Sequence, residues 1–163
     1  EILNWKNPGL GGFYVDMGSP ESLRLAVGGK SFEEDPELRE TPHIGYGFHL
    51  QGPTSWWTHL ETLYDNPLRI RISGLDPKAR YRLRVVYGGD RVIKIRLVAN
   101  EVFEIHSFIE KPRPLRPLEF DIPTEAIKGG TLTLTWYPEP GLGGSGRGCQ
   151  VSELWLIRED DEG

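Results

Sequence analysis

The chain has 163 residues and a formal net charge of −5, so it fits one domain and carries the wrong sign for a general nucleic-acid binder. Its single cysteine, Cys149, rules out an internal disulfide, and no Cys/His spacing of a zinc site is present. No apolar run approaches the ~20 residues that a membrane helix needs.

Taken in chain order, the elements are overwhelmingly strands. Residues 13–17 and 23–27 read as short strands. Residues 31–67 then form a long irregular region, interrupted by a helix of two turns at most over residues 58–65, where Thr58 and Glu61 make a capping-box pattern. Leu68-Arg69-Ile70-Arg71-Ile72, Tyr81-Arg82-Leu83-Arg84-Val85 and Ile93-Lys94-Ile95-Arg96-Leu97 alternate strictly, as half-buried strands do. Shorter strands follow at 102–106 and 118–122, separated by an extended proline-rich stretch at 111–117. Thr131-Leu132-Thr133-Leu134-Thr135-Trp136 alternates with threonine outward, which places Trp136 in the core. A second long loop spans 138–148, a last strand spans 151–157, and an acidic tail at 159–163 frays.

About nine strands with few helices predict an antiparallel β-sandwich of jelly-roll type with two long loops. Residues 1–158 form one domain. With 20 Gly and 13 Pro the chain is turn-rich without reaching the composition of disorder. It opens at Glu1-Ile2-Leu3-Asn4-Trp5 with no methionine, as a segment of a larger multidomain protein would. One Met, one Cys and scarce amides fit a heat-adapted source.

One segment, Leu75-Asp76-Pro77-Lys78-Ala79-Arg80-Tyr81-Arg82-Leu83-Arg84-Val85-Val86-Tyr87, resembles the strand–turn–strand stretch of galactose-binding-domain-like sandwiches, a superfamily that includes malectin-like domains and many carbohydrate-binding modules. The resemblance extends over residues 65–158. It includes the turn at Ala99-Asn100-Glu101, the strand at 118–122, Gly130-Thr131-Leu132-Thr133-Leu134 and the closing Val151-Ser152-Glu153-Leu154-Trp155-Leu156-Ile157. It implies a non-catalytic sugar-binding module of an extracellular or periplasmic bacterial enzyme, covalently linked to a catalytic module, with no nucleic-acid or membrane partner. It also implies a structural calcium, whose ligands do not carry over to named positions.

The candidate site is Ser55-Trp56-Trp57-Thr58-His59-Leu60-Glu61. Sugars present apolar C–H faces ringed by hydroxyls. Trp56 and Trp57 offer stacking surface, while His59, Glu61 and nearby Tyr46 offer hydrogen bonds. Adjacent tryptophans on a strand point opposite ways, so one of them can equally cap the core. Arg147, at the end of the glycine-rich loop, adds a donor for hydroxyls or a carboxylate. That loop contains a literal G-x-G-x-x-G, but a strand follows it where a dinucleotide site needs a helix. Arg69, Arg71, Arg82, Arg84, Lys94 and Arg96 occupy the polar phase of their strands. They either line one face for an acidic polysaccharide or pair across strands with Glu104, Glu119, Asp121 or Glu153. His43, His49, His59 and His106 show no metal spacing. Two alternatives stand beside the sugar-binding module: a structural or protein-interaction sandwich, and a small enzyme, either a hydrolase using carboxylates such as Glu61, Asp65 or Glu139 or a polysaccharide lyase using a base such as His59 or Tyr64 near a neutralising arginine.

Overall fold

A computed structural model describes residues 7–27, 38–41, 56, 59–63, 67–88, 94–113, 115–139 and 147–159. These residues form eleven strands: β1 (Phe13–Asp16), β2 (Leu38–Thr41), β3 (His59–Leu63), β4 (Leu68–Ile72), β5 (Arg80–Val86), β6 (Ile95–Ala99), β7 (Phe103–Ile109), β8 (Leu118–Asp121), β9 (Leu132–Pro138), β10 (Arg147–Val151) and β11 (Glu153–Glu159). They make three antiparallel sheets, ordered β1-β11-β5-β8, β4-β9-β6-β7 and β10-β3-β2. We call these the first, second and third sheets.

The period-two pattern of the sequence explains the packing. On β4, Leu68, Ile70 and Ile72 face inward, opposite Trp136, Leu134 and Leu132 of β9. Ile95, Leu97 and Ala99 of β6 extend this apolar layer. From the first sheet, Val15, Leu83, Val85, Leu154 and Leu156 close onto it. Trp136 is fully buried, as its phase predicts.

Three expectations are corrected. Residues 59–63 are a strand, not part of a helix: β3 lies between β2 and β10 and hydrogen-bonds to both. A two-turn helix is marginal alone, whereas strand neighbours on both sides satisfy the backbone of β3. The region 31–67 therefore contains two strands. Residues 23–27 are not a regular strand. Pro20 opens a 3₁₀ turn through Arg24, and only Ala26 bridges to Ile70 at the edge of the second sheet. Finally, the strand expected over 151–157 breaks at Ser152. Its N–H donates to Val86 O at 2.8 Å and its carbonyl accepts from Met17 N at 2.9 Å. One run of chain thus serves the third sheet as β10 and the first as β11. The crossing is tight, because a Cβ on Gly88 would lie 1.9 Å from Ser152 Oγ.

The β6–β7 hairpin turns on Asn100 and Glu101, at φ 50° and 61°, and Val102 N–H donates to Ala99 O at 3.1 Å. This is a type I′ turn, which favours Asn-Gly. Asn100 suits its place. Its Oδ1 accepts from Thr133 N at 2.8 Å, and its Nδ2 donates to Ala126 O at 2.7 Å.

The six strand cations do not share one face. Arg82 and Arg84 lie on the first sheet, while Arg69, Arg71 and Arg96 lie on the second. Arg82 and Arg84 pair with Glu119, and Arg82 also with Glu159. Arg96 pairs with Glu104 and Arg69 with Glu101.

Candidate functional site

Strand alternation splits β3 into two functions. Leu60 and Thr62 point one way, with Leu60 in the core, and His59 and Glu61 point the other. Gln150 stands opposite Glu61 on β10. Lys111, two residues beyond β7, reaches across with its Nζ, donating to Gly88 O and to Gln150 Oε1, each at 2.7 Å. That contact orients the amide, so Gln150 Nε2 donates to Glu61 Oε1 at 2.9 Å and lies 3.4 Å from His59 Nε2. His59 Nε2 is 3.3 Å from Glu61 Oε1.

All four side chains are buried, Glu61 to 1% exposure and Gln150 to 0%. Ionisable groups are tolerated inside a protein only when paired and hydrogen-bonded. One atom of this row breaks the rule: His59 Nδ1 is buried and has no hydrogen-bond partner among the described residues. An unfilled site of this kind costs about 1–3 kcal/mol.

The tryptophan approach meets this row at the β10–β11 crossing. Trp56 Nε1 donates to Glu153 Oε1 at 2.7 Å, and its carbonyl accepts from Ser152 Oγ at 3.3 Å. The other oxygen of Glu153 accepts from the Tyr14 hydroxyl at 2.5 Å. Burial, and then that bond to a carboxylate, push the Tyr14 hydroxyl well above the usual phenol range. The Tyr14 ring lies 5.2 Å from that of Trp155, and the Arg84 guanidinium sits 5.5 Å from the Trp155 ring on its other flank.

Of the residues singled out from the sequence, Trp56, His59 and Glu61 come together at this rim. Trp57 and Tyr46 lie outside the described residues. The backbone of Arg147 pairs with Leu63, at the far end of β3 from His59, roughly 13 Å along the strand at ~3.3 Å per residue. Gln150, Lys111, Glu153 and Tyr14 were not anticipated as site residues. Gln150 and Glu153 carry a signal, since each is a polar residue inside the apolar run from Cys149 to Trp155. Lys111 carries none. Glu153 was expected among the cation partners, but it accepts from a tyrosine and a tryptophan.

A separate buried chain runs beneath the second sheet. Trp136 Nε1 donates to Tyr87 Oη at 2.9 Å, and Tyr87 Oη lies 2.6 Å from His106 Nε2. His106 Nδ1 lies 2.7 Å from Ser107 O, so Nδ1 carries the proton and Nε2 accepts. Burial holds the His106 pKa below its ordinary value, against the bond to Ser107 O and the charge of Glu104. A cleft of about 350 Å³ lies at the opposite end of the first sheet, where Arg80 and Glu159 meet Asp121.

No group of three or more His, Cys, Asp or Glu among the described residues is placed to hold a metal ion. No helix among them is long and apolar enough to cross a membrane.

No protein-family model and no curated protein matches the chain. Among solved structures it is similar to a family 35 carbohydrate-binding module from an environmental isolate, at 17% identity over 71% of this chain and 78% of that one, with a TM-score of 0.45. It is similar also to the family 35 module of Cellvibrio japonicus Abf62, at 12% identity over 90% and 92%, with a TM-score of 0.47. A third is the GH26-CBM35 β-(1,4)-mannanase of Podospora anserina, at 9% identity and a TM-score of 0.49, where the chain matches over 93% of its length but spans 28% of the mannanase.

Proposed function

We propose that this chain is a non-catalytic carbohydrate-binding module acting at the rim where Trp56 meets β3. The observation that carries this reading is the unpartnered His59 Nδ1, set in an otherwise satisfied buried row beside a tryptophan whose indole is fixed by Glu153. Aromatic surface beside a few placed polar atoms is what a sugar needs. A ligand hydroxyl can both donate and accept, so it complements Nδ1 in either tautomer. In this reading the module is exported and tethered to a catalytic module, which it holds against its polymer.

The test is affinity electrophoresis through gels containing single neutral or acidic polysaccharides. Retardation by one polymer, lost in Trp56→Ala and reduced in His59→Ala with circular dichroism unchanged, supports the rim. Retardation that both variants retain refutes it. A second reading, a structural sandwich without a sugar site, draws on the near-complete burial of His59 and Glu61. It predicts that no polymer retards the wild-type chain.

A further inference from the structure

The outer face of the second sheet carries a lane of side chains that the rim does not use. Along β9 the positions on this face are Thr133, Thr135, which is fully buried beneath Arg69 and Glu101, and Tyr137, followed by Glu139. Arg71 lies across from Thr133, Arg69 and Val98 from Thr135, and Arg96 from Tyr137. Lys94 N–H donates to Glu139 Oε1 at 3.1 Å, which puts Lys94 beside the last position. From residue 133 to residue 139 the lane is about 20 Å long, at ~3.3 Å per residue.

Tyr137 is the centre of the lane and is held from both sides. Its hydroxyl donates to Glu101 Oε1 at 2.8 Å, and the Arg96 guanidinium lies 5.9 Å from its ring. Glu101 is locked by Arg69 at 2.9 Å and by the Thr135 hydroxyl at 3.4 Å. Glu101 reaches this position from a left-handed backbone, φ 61°, that favours glycine. A strained residue holding an aromatic side chain in place is a device found where something must be pre-organised. On β7, the next strand, Phe108 is 39% exposed.

Among the described residues, four cations on this face, Arg69, Arg71, Lys94 and Arg96, stand against three carboxylates, Glu101, Glu104 and Glu139. Arg69 and Arg96 have carboxylate partners in Glu101 and Glu104. Arg71 and Lys94 are exposed, and their side chains pair with no carboxylate among the described residues. These two uncommitted cations flank Tyr137 along one line, in a chain whose net charge is −5.

We infer that this face binds an anionic polysaccharide laid along β9, with Tyr137 under one sugar ring and Arg71 and Lys94 each meeting a carboxylate or sulfate on units further along the polymer to either side. A linear polymer of spaced negative charges matches a linear lane of spaced cations around an aromatic ring. A small anion would need only one of the cations. The lane is independent of the rim and stands or falls separately from it.

The test is binding of the full chain to polygalacturonate, alginate and chondroitin sulfate, with a neutral glucan as control, by affinity electrophoresis at low and at 0.3 M added salt (about three times the ~0.1 M at which the screening length is ~10 Å). Arg71→Ala with Lys94→Ala is expected to weaken binding of one acidic polymer about fivefold to tenfold, as two exposed charge contacts would. Lys78→Ala with Lys128→Ala removes the same charge away from the lane and is expected to change binding less than about twofold. Trp56→Ala is expected to leave this binding intact. Tyr137→Leu should lower it further, and Tyr137→Phe, which keeps the ring, should retain most of it. Three results each overturn the proposal: no acidic polymer retards the wild-type chain, the two charge pairs weaken binding equally, or Trp56→Ala alone abolishes it. Retention of the neutral glucan by the same face, insensitive to Arg71→Ala, also overturns the anionic assignment.

Discussion

Replacing Asn100 with alanine should destabilise the domain far more than its half-buried hairpin position suggests. The β6 backbone turns away at Asn100, and its side-chain carbonyl takes over the next rung, accepting from Thr133 N at 2.8 Å. The same amide donates to Ala126 O at 2.7 Å, tying the hairpin to the 3₁₀ turn Thr124–Ile127. Each bond contributes about 1 kcal/mol. Alanine at φ 50° adds roughly 1 kcal/mol that asparagine largely escapes. The total is about 3 kcal/mol, a loss of about 6–12 °C in Tm for a chain of this size. Urea unfolding at constant m-value reads it directly. Asn100→Gly loses both bonds but not the backbone preference, so it should cost less than Asn100→Ala. A loss below about 1 kcal/mol for alanine, or glycine as harmful as alanine, would refute the reasoning.

Gly88→Ala should cost about 1–3 kcal/mol by overpacking, because the new Cβ meets Ser152 Oγ at 1.9 Å. Ser152→Ala leaves only the contacts at 3.1 Å, to the Cβ of residue 152 and to Trp56 O, so adding it to Gly88→Ala should recover part of the loss. A double-mutant cycle with no coupling would contradict the predicted contact. His106 makes stability depend on pH. Its folded pKa is lowered by burial, so below the ordinary 6.5 the unfolded chain binds a proton that the folded chain does not. Stability should therefore fall as pH drops through that value, by at most about 1.4 kcal/mol per pH unit for one group. His106→Gln should flatten this limb of a urea-midpoint profile, and an unchanged slope would contradict the assignment. Burial pushes the Cys149 thiol up to about 12, so a disulfide reagent at pH 8 should label it only after denaturant is added. Rapid labelling of the native chain would place the thiol at the surface.

The sandwich was legible because its core strands are amphipathic at period two. Leu68 to Ile72 and Leu132 to Trp136 announce both their extension and their inward face, and the structure pairs them rung for rung. What misled was β3. Thr58 and Glu61 have the spacing of a helix start, but His59-Leu60-Glu61-Thr62-Leu63 alternates just as well. Only the neighbours β2 and β10, distant in sequence, decide between the two. The polar row was half legible. His59 and Glu61 stood out beside tryptophans, but Gln150 and Lys111 join them through pairing and reach that no local pattern encodes. The cation stripe shows the same limit. Phase along a strand tells which side a residue takes, not which sheet its strand joins, so Arg82 and Arg84 parted from Arg69, Arg71 and Arg96.

The break at Ser152 gives the domain a mechanical property. Because β10 and β11 are one run of chain, sliding that run along its own length would break register with β3, β5 and β1 at once. Ser152, bonded to Val86 and Met17 at the crossing, therefore couples the third sheet to the first, and neither ladder shifts without the other.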